Sequence, residues 1–295
     1  MTEAKKVKFQ ERNIKIMKDL SNENVIHIVK DGVQYLQFRR LLEYSDILAH
    51  AYSLGIDKNF RTARAKTAEP ITKEEFKEAN KDYADLCNAI EMNYIDAVKP
   101  NQAHTKNVKK VDEHVNINKP DFNLKEYDLT DGLITNKSNI LLATTNADCI
   151  LLMFFDPVKK AIANVHSGWK GTLQRISVET VEKMQKEYGS NSKDIICCIC
   201  PSIRKCHFEV EKDVQTLFEN EFKDLKLDEI IERKSENKWL IDTVKINEEI
   251  LQKAGLKKEN IVDCGICSVC NSDLIHSYRV EKEKYGLSTA IIGLK

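Results

Sequence analysis

The sequence has no excess of charge of either sign, with 46 Lys and Arg residues against 46 Asp and Glu residues. Binding to nucleic acid depends on a basic excess or a basic stripe that neutralises phosphates, so we expect no nucleic acid partner. Crossing a bilayer takes an apolar run of ~20 residues. The longest run here, from Cys149 to Phe155, has the length of one strand. We therefore expect no membrane association.

Glycine and proline are also scarce, with 10 and 5 residues in a chain of 295. The sequence shows no linker, internal repeat or low-complexity segment, which favours a single domain. It contains neither a GxGxxG fingerprint nor a Walker A motif. A dinucleotide-binding fold and a P-loop fold are therefore not supported.

Cysteine, by contrast, is abundant, with nine residues that include the adjacent pair Cys197 and Cys198. The first thirty residues lack the apolar core of a signal peptide, so we expect a cytoplasmic protein. In a reducing compartment, cysteines in an odd number are expected to be buried thiols, ligands or nucleophiles rather than disulfides.

Short apolar runs in the middle of the chain predict strands covered on both faces, at Ile140–Thr145, Cys149–Phe155 and Ala161–His166. Strands and helices alternate without a regular βαβ rhythm. This predicts an α/β fold of stacked mixed β-sheets flanked by helices. Residues 1–45 are expected to form an N-terminal hairpin around Asp31-Gly32, belonging to the same domain as residues 46–295.

Polar residues at the strand junctions are the first candidates for chemistry. Asp148 and Cys149 lie between two apolar runs, where unsatisfied polar groups are costly. His166 ends the next run, and a short turn at Asp156-Pro157 places Cys149 and His166 on neighbouring strands. His104 lies in a polar loop after a predicted strand at Tyr94–Val98.

One thiolate and two imidazoles match a three-ligand zinc site whose fourth position stays open, which is the pattern of catalytic zinc. Spacing alone leaves the ordinary alternative open. A cysteine on a strand is usually a small core residue, and a histidine at a strand end is often structural.

Three segments in order resemble the signature blocks of the YfiH/laccase-domain family: Gln102-Ala103-His104, Thr145 to Cys149, and His166 to Leu173. This family was formerly described as multicopper polyphenol oxidases and is now described as purine nucleoside phosphorylase-like. Cys200 to Val210 and Ser277-Tyr278-Arg279 are similar to two further family blocks. The similarity runs from about His50 to the C-terminus.

The resemblance implies zinc bound by His104, Cys149 and His166, with copper as a conceivable substitute. It implies phosphorolysis of adenosine, inosine, guanosine and methylthioadenosine, together with deamination of adenosine. The family fold is α/β with stacked mixed sheets, related to a toxin deamidase that uses Cys and His. As partners we expect only purine nucleosides and phosphate, and we expect a monomer or a homodimer.

We interpret Lys170, Arg279 and the backbone at Gly168 and Gly171 as the phosphate-binding group. Asp148 is interpreted either as a proton shuttle for deamination or as an acceptor that orients a ligand imidazole. The sequence departs from the family at Lys170, where arginine is usual, and lysine offers a point charge instead of a bidentate fork. Cys200 replaces a glycine, and no Gly-Gly turn follows His50.

Two other functions compete with this interpretation. Cys149 as nucleophile and His166 as base would make a metal-free thiol hydrolase or deamidase. A copper-dependent polyphenol oxidase needs several copper centres, and only seven histidines are available.

The remaining cysteines suggest two weaker metal signals. His207-Phe208-Glu209 with Cys267 and Cys270 imitates the H-x-E…P-C-x-x-C signature of zinc deaminases, although no proline precedes Cys267. Paired C-x-x-C spacings could instead build a structural zinc or iron–sulfur site, from Cys264, Cys267 and Cys270 together with Cys197, Cys198, Cys200 and Cys206. Cys197 and Cys200 are three apart on a predicted strand and so should face opposite ways.

Overall fold

The computed structural model describes residues 18–61, 73–94, 97–113 and 127–295. The strands are β1 (Val25–Lys30), β2 (Val33–Phe38), β3 (Leu48–Leu54), β4 (Ala97–Val98), β5 (Val108–Lys110), β6 (Gly132–Thr135), β7 (Leu141–Asn146), β8 (Ile150–Asp156), β9 (Ala161–Ser167), β10 (Ile196–Ile199), β11 (Glu209–Val210), β12 (Ile231–Ser235), β13 (Lys238–Ile241), β14 (Ile261–Asp263) and β15 (Ser288–Leu294). The helices are α1 (Arg39–Leu42), α2 (Lys73–Ala89), α3 (Trp169–Leu173), α4 (Ile176–Tyr188), α5 (Lys212–Glu221), α6 (Leu227–Ile230), α7 (Thr243–Lys253) and α8 (Tyr278–Glu281).

Two six-stranded sheets form the centre of the fold. The first has the order β1-β2-β3-β15-β7-β4 and the second the order β14-β10-β8-β9-β6-β5. Both contain parallel and antiparallel pairs. A small third sheet, β11-β13-β12, lies beside them. The predicted α/β fold with stacked mixed sheets is confirmed.

Alternating side chains of the central strands pack into different layers, as strand geometry requires. On β8, Leu151, Met153 and Phe155 belong to the core between the two large sheets. Ile150, Leu152 and Phe154 pack under α4 and α7 on the other face. The outer face of the first sheet is covered by α2. Covering on both faces explains why the runs in the sequence are continuously apolar.

The N-terminal hairpin is confirmed for the described residues, with β1 and β2 paired antiparallel from Val25–Phe38 to Lys30–Val33. Asp31 and Gly32 both have positive φ, 53° and 79°, as a type I′ turn requires. Residues 1–17, the start of the predicted N-terminal unit, lie outside the described residues.

From about Thr172 to Tyr188 the sequence predicts one helix. α4 fills most of that range, and the short α3 precedes it. α3 ends at Leu173, and Arg175 adopts a left-handed φ of 56° before α4 begins at Ile176. The break turns the chain directly after the Gly168–Gly171 segment. Among the described residues, no helix is both long and apolar enough to cross a membrane.

Candidate active site

Cys149, His166 and His104 converge at the ends of the two central strands of the second sheet, β8 and β9. The antiparallel register of β8 and β9 pairs Ile150 with Ser167 and Leu151 with His166, so Cys149 precedes the start of one strand beside the end of the other. His104 comes from the loop between β4 and β5. The ligand atoms of all three lie within 4.8 Å of one another. The two imidazole rings are close to perpendicular, at 81° with centroids 4.9 Å apart.

The His104 loop is fastened to the first sheet by Gln102. Its side-chain amide donates to the Thr145 carbonyl at 2.8 Å, and its carbonyl accepts from the Thr145 N–H at 2.8 Å. Gln102 thereby pairs with the end of β7 as a neighbouring strand would. This fixes His104 relative to the Cys149 turn.

Asp131 connects the His104 loop to His166 through hydrogen bonds. Its buried carboxylate accepts from the backbone N–H groups of Ala103, His104 and Thr105, at 3.2, 3.0 and 2.7 Å. It also lies 2.8 Å from Nδ1 of His166. The bond to Nδ1 leaves Nε2 of His166 for a ligand or a thiol, as carboxylates commonly do for metal-bound histidines.

Sequence reasoning missed Asp131. The available signal was an acidic residue directly before Gly132 and the apolar residues Leu133 and Ile134. A buried carboxylate costs free energy unless several donors satisfy it. Burial raises the pKa of Asp131, but the hydrogen bond and charge of His166, with bonds from Thr105, hold it below its usual value.

The thiol and the imidazole of the site shift each other's ionisation. Burial raises the pKa of Cys149, but the neighbouring His166 and His104 outweigh it and lower the pKa to about 6. Burial lowers the pKa of His166, but the Cys149 thiolate and Asp131 outweigh it and raise the pKa to about 10. Without a metal, the arrangement therefore favours a thiolate beside an imidazolium.

The Asp148 carboxylate is bonded to residues other than the two imidazoles of the site. Its carboxylate accepts from the Ser268 hydroxyl at 2.6 Å and from the Arg279 N–H at 2.7 Å. The carboxylate that contacts the His166 imidazole is that of Asp131. Asp148 has a positive φ of 88° and joins the Cys149 turn to two distant segments. It still lines the cavity above the site.

The predicted phosphate-binding group is only partly assembled. Arg279 lines the cavity, but its guanidinium already donates to the carbonyls of His207 at 3.0 Å and Glu209 at 3.4 Å. Lys170 is exposed, lies 5.4 Å from the Trp169 ring and is outside the cavity lining. Lys170 therefore lies on the surface, outside the wall of this cavity.

The two glycines differ in their surroundings. A Cβ on Gly168 would lie 2.8 Å from Cδ2 of His104 and 3.2 Å from Sγ of Cys149. A Cβ on Gly171 would meet nothing closer than 3.4 Å. Gly168 is therefore packed tightly against His104 and Cys149, whereas Gly171 is not, and neither glycine lines the cavity.

A cavity of about 830 Å³ opens above His104, Cys149 and His166. Its aromatic lining comprises Phe60, Tyr83, Trp169, Phe208, Tyr278 and Tyr285. Cationic side chains of Arg61, Lys99 and Arg279 also reach it. Sequence reasoning missed Lys99, whose Nζ lies 4.1 Å from the centre of the Tyr83 ring. Aromatic walls with a few placed charges suit a small organic ligand.

Other histidines have structural contacts. His50, in the middle of β3, accepts the Phe38 N–H at 2.7 Å, and burial lowers its pKa to about 3. It is therefore neutral and holds β2 against β3. His276 lies between Glu281 and the Lys58 carbonyl, at 2.9 and 2.6 Å, and anchors α8 with Arg279.

A family model described as multi-copper polyphenol oxidoreductase laccase matches residues 71–295. The chain belongs to this laccase-domain family. The purine nucleoside phosphorylase YlmD of Bacillus subtilis is 34% identical over 166 residues, which cover 56% of this chain and 59% of YlmD. The human purine nucleoside phosphorylase LACC1 is 31% identical over 175 residues, covering 58% of this chain and 40% of LACC1. The match thus spans about three fifths or less of either relative.

Solved structures confirm the fold of this laccase-domain protein. A YfiH hypothetical protein from Bacillus licheniformis aligns with a TM-score of 0.77 and 24% identity, covering 88% of this chain and 96% of that protein. YlmD from Geobacillus stearothermophilus aligns with a TM-score of 0.73 and 19% identity, covering 92% and 99%. The resemblance stated from the sequence is confirmed.

Proposed function

We propose that this chain is a zinc-dependent purine nucleoside phosphorylase that acts on adenosine, inosine, guanosine and methylthioadenosine, and that also deaminates adenosine. The observation that carries the proposal is the convergence of His104, Cys149 and His166 on the floor of an aromatic cavity. The names of the relatives in Bacillus subtilis and human support the reaction class.

The donor set fits zinc. Nε2 of His104 lies 4.0 Å from Sγ of Cys149, close to the ~3.6 Å that separates sulfur and nitrogen ligands around a tetrahedral zinc. The Asp131 contact to His166 Nδ1 is the carboxylate–histidine arrangement common around zinc. Two imidazoles and a thiolate also suit copper, so the metal has to be measured.

The three protein ligands would leave one coordination position facing the cavity. A zinc ion held there would supply Lewis-acid chemistry to an oxygen of phosphate or water. The chain's own residues would bind the substrates. The aromatic walls offer flat surfaces for a purine, and Arg279 and Lys99 carry positive charge on the same cavity.

The charge on Lys99 depends on pH near neutrality. Burial lowers its pKa to about 7, so the ammonium form is present below pH 7 and is lost above it. A bound phosphate would favour the charged form. Lys99 is thus a stronger candidate for a phosphate contact than the exposed Lys170.

One observation favours a second candidate, a metal-free thiol hydrolase. Asp131, His166 and Cys149 lie in the order of a Cys-His-Asp triad, with the thiolate and imidazolium forms stabilised. His104 has no part in that mechanism, yet its Nε2 lies 4.0 Å from Sγ of Cys149. The second imidazole is the reason that zinc is preferred.

The deciding experiment measures products and metal together. Purified protein is analysed for zinc and copper, then incubated with adenosine with and without phosphate, and products are separated by chromatography. Phosphate-dependent adenine with one zinc at this site is expected, with inosine as the product of deamination. Cys149→Ala should abolish both products. Cys87→Ala, a buried thiol under the first sheet, should keep them.

Other purine nucleosides extend the test. If no purine nucleoside gives a product, the proposal fails and the thiol hydrolase becomes the leading function. If products appear in chelator-treated, metal-free protein, the zinc part of the proposal fails while the phosphorylase part stands.

A further inference from the structure

A second cluster of side chains that could bind a metal lies outside the active-site cavity, behind one of its walls. It consists of Cys206, His207, Cys267 and Cys270, called here the tetrad, whose ligand atoms lie within 4.8 Å of one another. Cys206 and His207 precede β11, and the two other cysteines flank the short turn after β14. Cys206 and Cys270 are exposed, whereas Cys267 is 6% exposed. Cysteine is among the residues most often buried, so two exposed thiols on one site need a reason.

We propose that the tetrad is a second zinc site, closed by four protein ligands and structural in role. Sγ of Cys206 lies 3.7 Å from Sγ of Cys267 and 4.0 Å from Sγ of Cys270. A tetrahedral zinc with bonds of ~2.3 Å to sulfur separates its sulfur ligands by ~3.8 Å. The cysteines thus already stand at the spacing that zinc requires.

The imidazole completes the same tetrahedron. Nδ1 of His207 lies 3.1, 3.7 and 3.6 Å from the sulfurs of Cys206, Cys267 and Cys270. The expected spacing between nitrogen and sulfur ligands is ~3.6 Å. Three thiolates with one imidazole are a usual ligand set of structural zinc.

Backbone and ion-pair contacts hold the two ligand-bearing segments together without a metal. Ser202 bridges to Cys267, and the Ser268 N–H donates to the Ser202 carbonyl at 3.0 Å. Arg204 makes a bidentate ion pair with Asp263 at 2.6 and 2.5 Å. The ligands are therefore preorganised, which lowers the cost of gathering them around an ion.

The tetrad is not a deaminase centre, although it contains the histidine and both cysteines of that signature. Deaminases keep the fourth zinc position for water, and here Cys206 fills it. Glu209, the residue at the acid–base position of the signature, is 2.7 Å from Lys234 in an ion pair. Zinc in the tetrad therefore has no open position.

The tetrad borders the active-site wall. Ser268, between two tetrad cysteines, donates to Asp148 next to Cys149, and the His207 carbonyl accepts from Arg279. Phe208 and Glu209 follow His207 directly and line the cavity. A zinc in the tetrad would clamp the segments that form this wall.

The test measures the number of zinc ions per chain. The protein is purified under reducing conditions, incubated with zinc, and then separated from unbound zinc. We expect two equivalents in the unmodified chain, one in Cys149→Ala and one in Cys206→Ser/Cys270→Ser. The triple variant should hold none. Cys149→Ala leaves the tetrad untouched, so its single zinc tests the proposal even if the tetrad variant fails to fold.

His207 supplies a matched pair. His207→Cys keeps four ligands and should retain the second zinc, whereas His207→Ala should bind it more weakly and unfold at a lower temperature. With cobalt in place of zinc, Cys149→Ala should show a thiolate-to-metal charge-transfer band from the tetrad. In the chain with Cys149 intact, Cys206→Ser/Cys270→Ser should weaken this band.

Three results would overturn the proposal: Cys149→Ala without zinc, tetrad variants that still carry two equivalents, or a disulfide between Cys206 and Cys267 in the reduced preparation. None of these depends on nucleoside cleavage. Failure of the phosphorylase assay would leave the zinc count of Cys149→Ala unchanged, so the two proposals fail separately.

Discussion

At the scale of single residues, the active site depends on contacts that leave little freedom. Gly168 lies against two candidate ligands, and Asp131 holds the His104 loop and the His166 ring at once. Each can be tested without touching a ligand side chain.

Gly168→Ala should displace His104, because the added Cβ would lie 2.8 Å from its ring. We expect zinc affinity at this site to fall by at least about tenfold, the size of loss seen when a group that orients ligands is removed. Competition with a chelator measures the affinity. Gly171→Ala is the matched control and should bind zinc normally, since its Cβ would meet only ordinary contacts. Equal affinities for the two variants would contradict the close packing at Gly168.

The ionisation of Cys149 gives a pH prediction for the metal-free protein. Its pKa is depressed to about 6, so the thiolate is present above that pH and is lost as the pH falls through it. Alkylation by iodoacetamide, followed by peptide mass spectrometry, should be half-maximal near pH 6. His166→Ala should move the midpoint towards the ordinary ~8.5 of a cysteine. The same midpoint in the unmodified chain and in His166→Ala would show that the imidazole does not stabilise the thiolate.

At the scale of secondary-structure elements, some helices and strands follow from their local sequence, and others depend on tertiary contacts. The hairpin of β1 and β2 and the start of α7 follow from their own residues. The helix predicted from about Thr172 to Tyr188 is present as α4 from Ile176 onwards, and its first turn differs because Arg175 turns the chain between α3 and α4. β5, β6, β12 and β13 were not predicted, and their pairing partners lie elsewhere in the sheets.

Asp242 caps α7 by accepting the Lys245 N–H at 2.9 Å. Asp242→Ala should lower the free energy of unfolding by about 1 kcal/mol, the usual cost of losing an N-cap. Urea denaturation measures the change. Lys226 stands at the same position of α6 without a capping bond, so Lys226→Ala should change stability by less than ~0.5 kcal/mol. Equal losses in the two variants would rule out the cap as the cause.

At the scale of the whole molecule, the two large sheets are joined by apolar packing and by buried amides, among them that of Asn164. Asn164, on β9 of the second sheet, donates to the carbonyls of Leu142 and Ala290 in the first sheet, both at 2.8 Å. It also accepts from the Thr144 hydroxyl at 2.6 Å. A polar group so deep between the sheets fixes their relative position.

Asn164→Ala should lower the free energy of unfolding by at least about 2 kcal/mol, because it removes three buried hydrogen bonds between the sheets. Thr180→Ala is the control, since that hydroxyl bonds only to the Ile176 carbonyl within α4; we expect a loss of about 1 kcal/mol or less. Thermal and urea unfolding measure both. A loss at Asn164 no larger than at Thr180 would mean that the amide does not tie the sheets together.

The sequence by itself predicted the apolar strands, the tight turn at Asp31-Gly32 and, through the ordered motifs, the three residues proposed as metal ligands. These depend on local periodicity, turn chemistry and residue types in ordered motifs. Only the tertiary structure decided that Asp131, not Asp148, contacts the His166 imidazole, that Lys99 and not Lys170 reaches the cavity, and that Cys206 and His207 meet Cys267 and Cys270. These contacts are between residues far apart in the chain. They depend on the order and register of the strands in the sheets, which no local sequence pattern encodes.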